Sequence, residues 1–371
     1  MKILTIGSDR NLFKESSEVR QRVIEYGNLA EETHIIVFSH DQELKNQNFG
    51  NIHLYPTNSK SRWFYIFDAV KIGKKILMAG GQWLISSQDP FECGLATWLI
   101  KRRFNIPLQL QIHTDFLSPY FVRHSMLNRV RVLIAKFLIP RANCIRVVSE
   151  RIKKNILKMT IKSIVVLSIF VDVKKIQEVA VKTDLHNKYP QFHFIILMAS
   201  RLTKEKNIGL AIEAMKEIIK KYSKTGLIIV GEGPEKENLK FKIKNLNLSG
   251  NVILEPWTDD LASYYKTADL FLLTSNYEGY GMAVVEAMAA GCPVIMTDVG
   301  LANEILVDKK GGLVIPVGDK KKLIKAVSNL MENPDLRNDL IRNSQKTMSF
   351  WPKREDYLKA YRDSWLLCKK F

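Results

Sequence analysis

The chain has 371 residues, 46% of them hydrophobic, with 56 Lys and Arg against 38 Asp and Glu for a formal charge of +18. That length exceeds one compact domain, so two are expected, and no low-complexity tract, heptad array or short repeat points to a fibrous or solenoid protein. No window approaches the about 20 apolar residues of a membrane-spanning helix, and MKILTIGSDR turns polar too early for a secretion signal, so a cytoplasmic protein is expected.

Short β-rich runs alternate with helix-period segments from the start. KILTI, HIIVFS, NIHLY, WLIS, LQLQIH, CIRVV and IVVLS are predicted strands of the first half, with helices over 63–79, 91–103 and 126–139 between several of them. From Phe192 the pattern restarts as FHFIILMAS, GLIIVGEG, NVILE, DLFLLTS, PVIMTD and GLVIP. Such alternation means parallel sheets covered by helices on both faces. The fold class is therefore α/β, with two Rossmann-like doubly wound domains facing across a cleft, and ligands are expected at the carboxyl ends of the strands. The polar stretch between Ser168 and Pro190 marks the boundary. The expected division is 1–172, 173–348, and a closing helix over 349–371. Cys93, Cys144, Cys292 and Cys368, scattered without a C-x-x-C pair, read as reduced core residues.

The basic excess lies early. Residues 1–172 carry 25 Lys and Arg against 14 Asp and Glu. This suits nucleic acid, an anionic membrane surface or a phosphorylated substrate without choosing among them. The lysine runs KEIIKKYSK and DKKKLIK read as exposed helix faces.

The stretch EGYGMAVVEAMAAGCPVIMTD (278–298) reads as glycine loop, helix and strand, following the strand DLFLLTS. Gly279 and Gly281 let backbone approach a ligand, and the free amides opening the helix at Met282 and Ala283 suit a phosphate. Glu278 in the loop and Glu286 in the helix accept hydrogen bonds, so they serve hydroxyl-rich parts of a ligand, one a sugar and the other a ribose. ASRLTKEKN (199–207) follows another strand and brings Arg201 and Lys206 to the same edge, cations able to neutralise a diphosphate. VGEGPEKENL is a further strand, turn and helix in which Gly231 and Gly233 permit close approach, though it lacks the third glycine of a dinucleotide fingerprint.

Together, ASRLTKEKN, VGEGPEKENL, NVILEPWTDDLASYYKTADLFLLTS, YEGYGMAVVEAMAAGCPVIMTDVG and GGLVIPVGD resemble, in order and spacing, the donor-binding half of family 4 retaining glycosyltransferases of the GT-B fold. The resemblance implies that Arg201 and Lys206 hold the nucleotide diphosphate, that Glu278 contacts the transferred sugar, and that Glu286 binds the ribose. It further implies that Tyr280 to Ala283 supply backbone against sugar and phosphate, and that Trp257 lies by the base. His113, just past the strand LQLQI, matches a histidine that faces the reacting sugar. NCIRVVSERIKKN resembles a late strand and helix of the acceptor domain, with Ser149 opening the helix. The final segment resembles a helix returning to the first domain, with Trp351, Tyr357, Tyr361 and Trp365 packing.

One departure is the loop after the first strand, GSDRNLFKESSEVRQR, which has Gly7 alone where the family carries paired glycines. Arg10, Arg20 and Arg22 could grip an acceptor phosphate, although a solvated helix face also explains Arg20 and Arg22, and Asp9, His113 and Asp115 are further acceptor-binding candidates. The expected enzyme is a retaining, metal-independent hexosyltransferase that uses a UDP- or GDP-sugar and needs no other cofactor. No Asp-x-Asp pair suits a nucleotide-bound metal, and the seven histidines are expected to form no ligand cluster. Its acceptor would be a glycan or lipid-linked glycan of the cell envelope. Residues 119–141, apolar but carrying Arg123, Arg129, Arg131, Lys136 and Arg141, could attach it peripherally to the inner membrane face. Alternatives are a nucleotide-sugar epimerase or phosphorylase of the same architecture, a nicotinamide oxidoreductase, and a basic nucleic-acid-binding protein.

Overall fold

The computed structural model describes residues 1–370. They divide into two compact units: Met1–Ser168 joined by the segment from Lys353, and Ile169–Pro352. The divisions thus fall at 168/169 and 352/353, against the expected 172/173 and 348/349.

Unit 1 holds eight strands: β1 (Lys2–Gly7), β2 (Glu32–Val37), β3 (Gln47–Phe49), β4 (Ile52–Pro56), β5 (Trp83–Ser87), β6 (Leu108–Ile112), β7 (Cys144–Val147) and β8 (Ser163–Val166). Their order in the sheet is β3-β4-β2-β1-β5-β6-β7-β8, parallel except where β3 meets β4. Strand order reverses between β1 and β5, which is this sheet's switch point. The edge strand β3, too short and polar to show a strand pattern, was not among the expected elements.

Unit 2 holds β9 (Phe194–Ala199), β10 (Thr225–Val230), β11 (Val252–Glu255), β12 (Leu270–Leu273), β13 (Val294–Thr297) and β14 (Leu313–Ile315), ordered β11-β10-β9-β12-β13-β14 and all parallel. The reversal here lies between β9 and β12. Every residue of β9, β10, β12 and β13 is buried, as parallel strands covered on both faces must be. Ile196, Leu227, Leu270 and Ile295 pack with helix residues such as Ile212, Met215 and Val327 into one core. Each such side chain stabilises the fold by about 1.5–3 kcal/mol on burial.

The closing helix, Arg354–Leu366, packs on unit 1. Tyr357, Tyr361 and Trp365 are buried, Tyr361 stacks on Tyr26 at 4.2 Å, and Arg354 pairs with Glu25. Trp351, just ahead of that helix, instead donates its indole N–H to the Val171 carbonyl of unit 2 at 3.1 Å. The return of the helix also corrects the reading of the cysteines. Cys144 of β7 and Cys368, 224 residues apart in sequence, form a disulfide with Cα atoms 5.1 Å apart, while Cys93 and Cys292 are free and buried. No helix among the described residues is long and apolar enough to cross a membrane.

Candidate active site

In unit 2 the loops after β9 and β12 flank the switch point and are sewn together. Thr274 Oγ1 donates to the carbonyls of Lys206 and Asn207 at 3.0 Å each, the Asn276 amide donates to the Glu205 carbonyl at 2.8 Å, and Asn207 Nδ2 donates to Asn276 Oδ1 at 3.1 Å. This lacing brings Lys206 Nζ to 2.5 Å from Glu278 Oε1, an oxygen that also accepts from Ser275 Oγ at 2.7 Å. Both side chains of the pair are largely shielded from water. Arg201 stands apart from them: its side chain is 78% exposed and its guanidinium lies 3.7 Å from Glu205.

Beside the pair, Gly281 adopts φ 107° and precedes the helix Met282–Ala289, whose start no side chain caps. A φ of that size favours glycine, and the uncapped amides leave partial positive charge at the helix start. Tyr280 is buried and its carbonyl accepts from the Leu301 amide at 2.9 Å. Glu286 lies in the helix and accepts from the hydroxyl of fully buried Tyr265 at 3.0 Å. Trp257, after β11, is half exposed.

Gly231 and Gly233 are required by packing within the protein itself. A Cβ at Gly231 would lie 1.9 Å from the Ser200 carbonyl oxygen, and one at Gly233 would lie 2.4 Å from that of Leu202. The two glycines therefore let the β9 and β10 loops pack backbone to backbone; the close approach is to the protein's own chain.

In unit 1, His113 follows β6, partly buried, and its Nε2 lies 3.1 Å from Gln111 Oε1. Burial, with the charges of Arg146 and Arg22 nearby, pushes its imidazole down to about 3, so it is neutral at physiological pH. The other expected acceptor residues are dispersed in function. Asp9 caps the short turn Arg10–Phe13 by accepting from the Asn11 amide at 3.0 Å, and Arg10 is exposed. Asp115 accepts from Asn155 Nδ2 at 3.1 Å, with burial holding its carboxyl above the ordinary value. Arg20 is turned away: it donates to Gln47 Oε1 at 2.9 Å and lies over the Phe49 ring at 4.4 Å. Arg22, two residues on, is the one whose charge reaches His113. At the unit 1 switch point, Gly7 leaves room for Gln88, whose side-chain oxygen would lie 2.1 Å from a Cβ there.

Two family profiles match this chain one after the other: glycosyltransferase family 4 over residues 26–175 and glycosyl transferases group 1 over residues 182–347. The chain belongs to glycosyltransferase family 4. It is 29% identical over 318 residues to an uncharacterised glycosyltransferase of Methanocaldococcus jannaschii, a match covering 85% of this chain and 84% of the relative. It is 30% identical over 154 residues to the alpha-monoglucosyldiacylglycerol synthase of Acholeplasma laidlawii, covering 41% of this chain and 38% of that one. Among solved structures, sucrose-phosphate synthase from Thermosynechococcus elongatus superposes with a TM-score of 0.81 at 18% identity over 97% of both chains. Anabaena HepE in complex with UDP-glucose superposes with a TM-score of 0.76 at 17% identity over the whole of both chains. At such identities the two structures establish the fold, which is GT-B.

The glycosyltransferase does bring two of its histidines together. His34 and His53 are register partners on β2 and β4, their rings stacked at 4.5 Å, and with Glu32 they offer ligand atoms within 4.8 Å of one another. Pairing across strands hides such a cluster from sequence spacing, and it corrects the expectation that the histidines stay apart. Its carboxylate is paired with Lys2 Nζ at 3.0 Å. His34 and Glu32 lie in the strand opposite β1 residues Leu4 and Lys2, near the amino ends of the strands, whereas His113 follows the carboxyl end of β6.

Sequence reasoning missed several residues of both sites: Ser275, which fixes Glu278; Tyr265, which fixes Glu286; and Gln111 and Arg146 behind His113. Gln111 and Arg146 did leave a signal. Polar side chains inside strands of a sheet covered on both faces must be hydrogen-bonded, so LQLQI and CIRVV marked a buried polar network.

Proposed function

We propose that this protein is a retaining, metal-independent hexosyltransferase. It moves a sugar from a UDP- or GDP-sugar bound by unit 2 to a hydroxyl of a cell-envelope glycan or glycolipid bound by unit 1. The observation that carries this reading is the Lys206–Glu278 pair beside the uncapped start of helix Met282–Ala289, at the switch point of unit 2.

A nucleoside diphosphate placed there meets Lys206, the exposed cation of Arg201 and the backbone amides of Met282 and Ala283. These stabilise the charge that develops as the bond between the sugar carbon and the phosphate oxygen breaks. The acceptor oxygen forms its bond on the same face, and its proton passes to the departing phosphate. Glu278, held by Lys206 and Ser275, accepts from sugar hydroxyls, and Glu286 accepts from the ribose. The A. laidlawii relative is named for glucosyldiacylglycerol synthesis and the HepE structure contains UDP-glucose, which supports a nucleotide-sugar donor and a lipid or glycan acceptor.

A surface of unit 1 supports attachment to the inner face of an anionic membrane. On the helix Met126–Leu138, Val132, Ala135 and Leu138 face inward, while Met126 is 71% and Leu133 66% exposed among Arg129 and Lys136. Trp63, 88% exposed, and Phe67 add aromatic side chains beside Arg62 and Lys71. Exposed apolar groups interspersed with cations suit an anionic lipid surface, each basic residue there contributing about 1 kcal/mol.

The test is a thermal-shift panel of nucleoside diphosphates and their sugars with and without chelator, followed by proton NMR of the glycoside formed with the donor that binds. A chelator-insensitive shift and a product with the donor's anomeric configuration are expected. An inverted product, or a shift that vanishes with chelator, overturns the retaining or the metal-independent part respectively. Conversion of the nucleotide sugar without an acceptor indicates an epimerase.

A further inference from the structure

A chain of buried side chains runs from the closing helix to His113. Gln109 Nε2 donates to the Ser364 carbonyl at 2.9 Å, Ser86 Oγ donates to Gln109 Oε1 at 3.3 Å, and Gln111 Nε2 donates to Ser86 Oγ at 2.8 Å. Gln111 Oε1 then faces two nitrogens, Arg146 Nη1 at 3.3 Å and His113 Nε2 at 3.1 Å. These contacts join strand neighbours: Ser86 is the register partner of Gln109, and Gln111 of Arg146.

The direction of every bond is fixed from both ends. The Ser364 carbonyl can only accept, so Gln109 must turn its NH2 toward it and its oxygen toward Ser86. The Ser86 hydroxyl spends its proton on that oxygen and accepts from the Gln111 NH2, which leaves Gln111 Oε1 as an acceptor. From the other end, Arg146 is buried, lies over the Tyr361 ring at 4.3 Å, and has donors alone to offer. A reversed Gln111 amide would set N–H against N–H, so Arg146 imposes the same orientation.

We propose that this network holds His113 as the tautomer protonated at Nε2, leaving Nδ1 as a lone-pair acceptor for a substrate hydroxyl. Gln111 and Arg146 are positioning residues. Nδ1 has no partner among the described residues, and partial burial with the charges of Arg146 and Arg22 favours the neutral ring. His113 therefore accepts a hydrogen bond in the reaction and does not serve as a general acid. The inference concerns which nitrogen carries the proton; its role toward substrate rests on the proposed function.

Nitrogen-15 NMR of the histidine-labelled intact protein at neutral pH tests it, with the His113 signals assigned by their loss in His113→Gln. The wild type should show Nε2 in the protonated range and Nδ1 in the unprotonated range. A signal pair for Nδ1–H, or for imidazolium, overturns the proposal. Gln111→Leu should give a mixture of tautomers and lower transfer roughly tenfold, the effect of one lost buried hydrogen bond. Arg146→Lys, which keeps a donor, should retain the wild-type tautomer. A pure Nε2–H signal in Gln111→Leu removes Gln111 from its assigned role. If the tautomer is as stated but His113→Gln transfers sugar at the wild-type rate, the network stands and the substrate-facing role of His113 fails.

Discussion

The two sheets share a central strand order that reverses at one switch point and differ in what they place at their carboxyl edges. Unit 2 gathers charge at its switch point, where Lys206 and Glu278 come from two loops laced by Thr274, Asn207 and Asn276, and a helix opens uncapped beside them. Unit 1 places Gly7 against Gln88 at its switch point, and its notable group, His113, sits one strand away, neutral and oriented from behind. Under the proposed function, one edge meets a polyanion. The other presents hydrogen-bonding groups of fixed direction to an uncharged part of the substrates. A transferase needs both, since leaving-group charge and acceptor hydroxyl pose different chemical demands.

The contrast can be broken by substitution. The largest effect belongs to Glu278→Gln, which leaves Lys206 without its partner and should reduce transfer by about 10²–10³-fold, the range for a preorganised electrostatic contact, while diphosphate affinity stays within a few-fold. Comparable losses in turnover and affinity would place Glu278 on the nucleotide instead. Next comes the membrane surface. Met126→Glu with Leu133→Glu should abolish cosedimentation with anionic vesicles and leave nucleotide binding intact; vesicle binding that survives the pair moves the contact elsewhere. Glu286→Ala should weaken nucleotide binding by about tenfold, as loss of hydrogen bonds to a ribose would, measured by calorimetry.

A smaller effect separates the two edges by pH. Because the folded state depresses the His113 pKa to about 3, the unfolded chain binds the extra proton between that value and the ordinary 6.5. Stability contributed by neutral His113 is therefore present above pH 6.5 and lost as pH falls toward 3. The urea midpoint of the wild type should fall relative to that of His113→Gln as pH drops from 6.5 toward 3. A wild-type midpoint that rises relative to the variant on acidification would mean that the folded protein holds the imidazolium. The disulfide gives a count rather than a rate: denatured, unreduced protein should titrate two thiols, Cys93 and Cys292, and four would mean that Cys144 and Cys368 are not joined.

The same contrast governs what could be read from sequence. The strands of unit 2 are uninterrupted apolar runs such as FIILMA, so its fold was legible, and the candidate site lies in loops whose glycines, glutamates and cations fall within short stretches. Gly231 and Gly233 showed up by type, but their reason, the approach of the β9 loop, needed the tertiary structure. In unit 1 the functional detail is carried across strands. Gln109, Gln111, Ser86 and Arg146 meet by sheet register, Cys144 meets Cys368 through a returning helix, and His34 meets His53 on adjacent strands. None of these partnerships has a sequence period. Arg20 and Arg22 show the limit most sharply: the two positions are equally basic, and a helix rotation alone sends one to Phe49 and the other toward His113.

The most direct test of the donor site is a calorimetric titration of UDP and of GDP, in the presence of chelator, into the wild type and into Lys206→Ala and Arg201→Ala. One diphosphate should bind the wild type and bind both variants more weakly, with the loss greater for Lys206→Ala. Binding undiminished in both variants, or no binding of either diphosphate to the wild type, would contradict a diphosphate site at the switch point of unit 2.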